Sequence, residues 1–223
     1  MCFKKHDLIM DEEVTIIDSK TRNEKIKNFL LKNAKLISFF IIALLLVIIG
    51  FYTYQIFQDQ KRELISYKYN SAVIEYNENE KLKTISELKE VVNSRDSTYS
   101  PLALYFIIDN NLVDNRDEVN KLFDVIIDKT SLELEIKNLI IYKKGLFNAD
   151  YANESQMLTI LSPLTNSKSV WKSHALYLLA EYFYSKNEKQ KSKEFFNQIL
   201  LTENANQDLV KEAQKRLNRD LGE

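Results

Sequence analysis

A run of 23 residues without a charged side chain separates Lys35 from Asp59 and constrains this chain more than any other feature. Its apolar part, residues 36–57, makes a helix of about 33 Å, and the hydrocarbon core of a bilayer is roughly 30 Å thick. Residues 39–49 are apolar on every side, whereas a buried helix of a soluble protein alternates with polar positions. The sequence therefore predicts a transmembrane helix over residues 36–57.

A cleaved signal peptide is the main alternative for this apolar run. Signal peptides have a shorter apolar core close to the N-terminus, followed by a cleavage site of small residues. Here 35 residues precede the run, and the residues after it, Tyr-Thr-Tyr-Gln at 52–55, offer no such site. We therefore expect the helix to be retained as an anchor in the lipid bilayer.

The basic residues beside the run predict its orientation, because cytoplasmic flanks are enriched in Lys and Arg. Three basic residues follow the run within a similar distance, Lys61, Arg62 and Lys68, whereas six precede it: Lys20, Arg22, Lys25, Lys27, Lys32 and Lys35. Residues 1–35 are thus predicted to be a cytoplasmic segment, and residues 58–223 a domain outside the cytoplasm.

The N-terminal segment contains a helix-start pattern. Thr21 and Glu24 have the spacing of a capping box, and Ile26, Phe29 and Leu30 then fall on one side of a helix. This helix either binds a partner or only leads into the span. The acidic run Asp-Glu-Glu at 11–13 directly follows Met10, so both Met1 and Met10 are candidate start residues.

Composition favours an all-α protein and excludes most enzyme classes. The chain has only 3 Gly and 2 Pro, too few for folds built on turns, bulges or phosphate-binding loops. One cysteine and two histidines provide neither a disulfide nor a common zinc site. The net charge of −1 argues against nucleic-acid binding. We predict a protein that is not an enzyme, has no cofactor or metal, and binds no nucleic acid.

Beyond the span, periodic apolar patterns predict nine short helices separated by clusters of Asn, Asp and Ser, at about 59–77, 81–93, 101–111, 116–128, 131–147, 153–161, 169–186, 188–202 and 207–219. Pro101 and Pro163 are expected at a helix start or in a connection, since neither interrupts a periodic stretch.

A spacing of 12 residues between small side chains recurs in two of the predicted hairpins. Ala72 and Thr84 are followed by Leu88 and Val91, and Ala180 and Ser192 are followed by Phe196 and Ile199 at the same intervals. This order resembles the tetratricopeptide repeat. Ile107 and Val119 fit with a bulkier pair, and residues 131–164 fit poorly. Residues 58–223 are thus predicted to be a tetratricopeptide-repeat-like stack of helical hairpins, closed by a polar last helix.

The whole chain also resembles a family of bacterial single-pass membrane proteins, the YfgM-like ancillary subunits of the SecYEG translocon. The likeness includes the acidic residues 11–13, the basic flank, the span and the repeats, and its most family-like stretches are 161–164 (Leu-Ser-Pro-Leu) and 171–180 (Trp-Lys-Ser-His-Ala-Leu-Tyr-Leu-Leu-Ala). The chain departs from the repeat pattern at Asn187, where Gly is usual. The resemblance implies a location in the bacterial inner membrane with a periplasmic repeat domain.

Hairpin stacks of this kind bind partners on a face lined by their first helices. The repeat register places there Tyr69, Val73, Tyr76, His174, Tyr177, Glu181 and Tyr184. Tyrosine suits a contact face because its ring buries area while its hydroxyl stays hydrated. The alternative is that these residues only pack one hairpin against the next.

Two functions are compatible with this organisation. The first is a membrane-anchored periplasmic scaffold, an ancillary Sec translocon subunit that links the translocon to periplasmic chaperones or exported clients. The alternative is an envelope adaptor for cell division or cell-wall assembly. The resemblance favours the first, since it implies an anchor for the translocon subunit and a secreted form for the division protein. The sequence leaves open the identity of the partner, the oligomeric state, and whether the span or the helical face makes the contact.

Overall fold

The computed structural model describes residues 23–221, which are helical with short connections and contain no strand. The all-α prediction is therefore confirmed. The expectations for Met1, Cys2, Met10, the acidic residues 11–13 and Thr21 fall outside the described residues. The helices are α1 (23–32), α2 (Ala34–Ile74), α3 (Lys81–Asn93), α4 (Tyr99–Asp109), α5 (Arg116–Lys129), α6 (Leu134–Asn148), α7 (Glu154–Thr165), α8 (Lys172–Ser185), α9 (Lys189–Leu200) and α10 (Gln207–Arg219), with a 3₁₀ turn at Glu78–Glu80.

The chain divides into two compact units, Met1–Lys61 and Arg62–Glu223. In the first unit, α1 presents Ile26, Phe29 and Leu30 as exposed side chains. It meets α2 at Asn33, whose backbone N–H still donates to the carbonyl oxygen of Phe29 at 3.0 Å. Of the described helices, α2 is the one that is long and apolar enough to cross a membrane.

The predicted break between the span and the next helix does not exist. Instead of ending near Phe57 and restarting at Asp59, α2 runs without interruption from Ala34 to Ile74. Residues 51–74 contain no Gly or Pro that would end a helix, and Gln58 donates a side-chain hydrogen bond to the Tyr54 hydroxyl at 2.8 Å across the expected boundary. A change from apolar to charged side chains alters the surroundings of a helix but does not end it.

The second unit is a stack of four hairpins, each with four buried residues at the same spacing. From a first residue, the other three follow at 12, 16 and 19 positions. The sets are Ala72, Thr84, Leu88 and Val91; Ile107, Val119, Phe123 and Ile126; Gly145, Met157, Leu161 and Leu164; and Ala180, Ser192, Phe196 and Ile199. Gly145 is buried, and no other member is more than 3% exposed. The hydrophobic core thus follows a repeating register along the chain.

The third hairpin, which fitted the pattern poorly in the sequence, follows this register through Gly145. A Cβ atom added to Gly145 would lie 2.6 Å from Cδ2 of Leu161 and 3.3 Å from Cδ2 of Leu178. The absence of a side chain therefore lets α6 approach both α7 and α8. The first residues of the four sets are 35, 38 and 35 positions apart, so only three extra residues lie between the second set and the third.

The prediction that Pro163 begins a helix or lies in a connection is wrong, because Pro163 lies inside α7. Proline has no N–H and leaves the carbonyl oxygen four residues earlier without its helical donor. That carbonyl belongs to Thr159, and the hydroxyl of Ser162 donates to it at 3.1 Å. Pro101, by contrast, is the third residue of α4, where the missing N–H costs little.

Asn187, at the position where the repeat pattern has Gly, ends α8 with a φ of 62°. This is the left-handed region, which Asn tolerates better than most residues other than Gly. The next residue, Glu188, donates its N–H to the carbonyl oxygen of Phe183 at 2.9 Å, which closes the helix end. The departure from Gly thus leaves the turn intact.

Candidate partner-contact surface

The first group of predicted contact residues lies on α2 and, for Tyr76, two residues after its end, and it faces α4. The Tyr69 ring centroid is 5.7 Å from that of Tyr99, and the Tyr76 centroid is 5.6 Å from that of Phe106. Both partners are 30 positions further along the chain, so α2 and α4 lie side by side in the same direction. Val73 packs against the same hydrophobic core cluster as these two tyrosines. All three side chains are half-buried in the seam between the first two hairpins.

His174 faces the preceding hairpin. Its ring centroid lies 5.1 Å from that of Trp171 and 5.8 Å from that of Tyr142, and Tyr142 and Trp171 stack on each other. The Nδ1 atom of His174 is buried without a hydrogen-bond partner in the described chain. This aromatic cluster joins α6 to α8, as expected for residues that pack two hairpins together.

The remaining three predicted residues face the last helix. Arg216 of α10 forms an ion pair with Glu181 at 2.9 Å, and its guanidinium lies 4.3 Å from the centre of the Tyr184 ring. Tyr177 contacts the edge of Phe196. Burial raises the pKa of Tyr177 to about 12, and the nearby carboxylate of Glu181 acts in the same direction. These side chains are half-buried between α8, α9 and α10.

The predicted residues therefore form two groups. The group on the first hairpin contacts α4, and the group on the fourth hairpin contacts α6, α9 and α10. Each residue retains some exposure, so each seam presents aromatic edges to solvent. Such a surface suits an apolar or aromatic side chain of another protein. Substituting alanine for Tyr177 or Tyr184 would also remove packing within the domain.

A polar cleft of about 390 Å³ between α5, α6 and α7 was not predicted from the sequence. On one side, the guanidinium of Arg116 lies 3.0 Å from the centre of the Tyr151 ring and donates to the carbonyl oxygen of Phe147 at 3.3 Å. On the other side, the amides of Asn120 and Asn148 donate to each other at 3.0 and 2.8 Å. No spacing in the sequence indicated this pairing, because Asn120 and Asn148 belong to different hairpins.

Within residues 23–221, no three or more His, Cys, Asp and Glu side chains are grouped so that they would hold a metal ion. Comparisons with protein-family models, curated proteins and solved structures found no match to this chain.

Proposed function

We propose that the protein is a membrane-anchored scaffold that binds other proteins and performs no catalysis. One observation carries the proposal: the apolar helix α2 continues without a break into the first of four hairpins that share one buried register. The predicted anchor and the first helix of the first hairpin are thus one continuous helix. The proposal includes the tetratricopeptide-like character of the stack, which the common register supports.

A hairpin stack suits this function because each hairpin contacts mainly its neighbours and leaves long helical faces open to partners. A membrane anchor confines those faces to a thin layer beside the bilayer, so partners in the same layer meet them at a high effective concentration. The half-buried aromatic side chains of Tyr69, Tyr76, Tyr177 and Tyr184 offer apolar contact area to a partner.

The proposed partners are subunits of the Sec translocon and periplasmic chaperones or exported clients. The family likeness of residues 161–164 and 171–180 supports this choice, and the six basic residues before the span support a cytoplasmic N-terminus and a periplasmic stack in a bacterial inner membrane.

Site-specific photo-crosslinking of the full chain tests the proposal. A photoreactive phenylalanine analogue in place of Tyr69 or Tyr184 keeps an aromatic ring in each seam, so the fold should be retained. Leu82, which is 83% exposed and outside both seams, provides the control position. We expect adducts with translocon subunits or periplasmic chaperones from the two seam positions and not from residue 82. Adducts with only cell-division or wall-synthesis proteins would support the envelope-adaptor function instead.

A further inference from the structure

The polar cleft between α5, α6 and α7 lies wholly within the second unit, and the guanidinium of Arg116 is part of its lining. Two aromatic rings hold this group. Its Cζ atom lies 3.0 Å from the centre of the Tyr151 ring and 5.2 Å from that of Phe147. Its Nη1 atom also donates to the carbonyl oxygen of Phe147 at 3.3 Å. The protein itself therefore holds the guanidinium in place.

Most of the hydrogen-bonding capacity of Arg116 is unused. A guanidinium carries several N–H groups in its plane, so stacking on a ring leaves them free to donate. Apart from the bond to Phe147, these groups have no acceptor within residues 23–221. No carboxylate of the same residues forms an ion pair with Arg116. A half-buried cation of this kind is stabilised by a bound anion.

The other charged side chains of the cleft favour an anion with a single charge. Lys144 is already paired with Asp124, with Nζ and Oδ1 2.5 Å apart. Asp117 is exposed and adds a negative charge to the lining. Of the described residues that line the cleft, Arg116 is thus the one cation without an ionic partner. This balance matches a carboxylate, whose two oxygens fit the guanidinium fork, better than a phosphate group with nearly two charges.

Neutral polar groups complete the lining of the cleft. The amides of Asn120 and Asn148 donate to each other, which leaves one N–H of Asn120 without an acceptor in the described chain. Ser155 and Thr159 are exposed one turn apart on α7, and their hydroxyl groups donate no hydrogen bond to the described residues. Amide and hydroxyl groups bind the N–H and C=O groups of a peptide backbone. The cleft, of about 390 Å³, therefore suits an acidic side chain together with neighbouring backbone.

We propose that this cleft binds an aspartate or glutamate side chain of a partner protein. The two carboxylate oxygens accept hydrogen bonds from the free N–H groups of Arg116, and Asn120 and the hydroxyl groups on α7 bind the adjoining backbone. The inference rests on the proposed scaffold function and adds one feature of the partner's chemistry. It places a contact between the second and third hairpins, separate from the two tyrosine-containing seams.

Peptide binding to the detergent-solubilised full chain tests the inference. The probe is a short fluorescent peptide of alanine and serine with one central glutamate, and both of its ends are capped so that this side chain is its only carboxylate. The control peptide has glutamine at the same position. We expect fluorescence anisotropy to show at least about tenfold tighter binding of the glutamate peptide, because only a carboxylate forms a charge-assisted bond with Arg116. Equal affinities of the two peptides would overturn the inference.

Substitutions in the cleft locate the binding site. Arg116→Gln should weaken binding of the glutamate peptide about tenfold, whereas Arg95→Gln, which changes an exposed arginine between α3 and α4, should leave it unchanged. Because Arg116→Gln also removes the stack on Tyr151, Ser155→Glu provides a second test that adds a negative charge to the same cleft. It should bind the peptide at least about fivefold more weakly than Ser155→Gln, which has a side chain of the same size. Equal binding by these two variants would place the peptide elsewhere.

Free butyrate separates a protein segment from a small acid, because it has a carboxylate on a short alkyl chain and no peptide backbone. If butyrate displaces the probe as well as the unlabelled glutamate peptide does, the assignment to a protein partner is overturned. Crosslinks from Tyr69 and Tyr184 test the scaffold function separately. If these crosslinks form and the glutamate peptide does not bind, only the cleft assignment fails. If the peptide binds and the crosslinks do not form, the cleft assignment is supported and the proposed role of the seams fails.

Discussion

Even a single methyl group at Gly145 would prevent α6 from lying as close to α7 and α8 as it does. We expect Gly145→Val to lower the free energy of unfolding by about 1–3 kcal/mol, because the new Cβ would meet the buried Leu161 side chain at 2.6 Å. The higher helix propensity of Val offsets only a few tenths of a kcal/mol. Urea unfolding of the detergent-solubilised chain, followed by circular dichroism, measures the change.

Ser155→Val is the matched control, because it introduces the same side chain at an exposed position of the same hairpin. It should change the free energy of unfolding by less than about 0.5 kcal/mol. Equal stability of the two variants would mean that α6 and α7 are further apart than the structure places them.

Tyr177 should make the stability of the domain sensitive to alkaline pH. Its pKa in the folded protein is raised to about 12, chiefly by burial, from an ordinary value of 10.0. The hydroxyl group therefore ionises first in the unfolded chain, so stability is full below pH 10 and falls as the pH rises toward 12. We expect Tyr177→Phe to lose less stability than the parent between these values. Identical pH profiles of the two proteins would refute a burial effect at this position.

The pairing of α8 with α9 depends on two small side chains, Ala180 and Ser192, both of which are fully buried. Ala180→Leu should overpack this contact and lower the free energy of unfolding by about 1–3 kcal/mol. Asn197→Leu adds the same side chain on the exposed face of α9 and serves as the control. The common register would be in error for this hairpin if Ala180→Leu were as stable as the parent.

The sequence predicted the helices of the stack well, because apolar periodicity depends on burial and every helix here buries one side. The buried register was clearest where both members of the pair are small, as at Ala180 and Ser192, and it was also visible at the bulkier pair Ile107 and Val119. It was missed at Gly145, since its counterpart Met157 is large. The continuity of α2 was missed because the pattern of apolar residues changes at Asp59. Before Asp59 the helix is apolar on all sides, and after it only one side is apolar, which resembles the boundary between two helices. Pro163 was misplaced because its substitute donor, the Ser162 hydroxyl, is not apparent from spacing.

The candidate surface was harder to predict than the helices. The register predicted that Tyr69, Tyr76 and Tyr177 point away from their own second helix, but Tyr177 contacts Phe196 of its own second helix, α9. The register also provided no measure of how closely the next hairpin approaches. That distance depends on side chains 30 or more positions away, such as Tyr99, Phe106 and Arg216. The cleft at Arg116 and Tyr151 was missed for the same reason.

For the whole molecule, the orientation in the membrane is the first property to test. Cys2 is the only cysteine in the chain and lies on the side of the span predicted to be cytoplasmic. A membrane-impermeant maleimide should therefore leave the protein unlabelled in intact spheroplasts and label it after lysis. Labelling of intact spheroplasts would reverse the orientation. A chain that starts at Met10 lacks the thiol and is identified by mass spectrometry.

The register described for the stack also bears on how the protein is made. Each buried set extends over only 19 positions, so a hairpin has all of its core residues as soon as a short length of chain has emerged. Contacts between residues close in sequence form quickly, because little chain entropy is lost in closing them. We therefore expect the domain to fold progressively from Arg62 onward during synthesis. At any moment only the most recently formed hairpin lacks the hairpin that packs against it. Unfolded chain is therefore exposed only briefly, which limits aggregation and proteolysis.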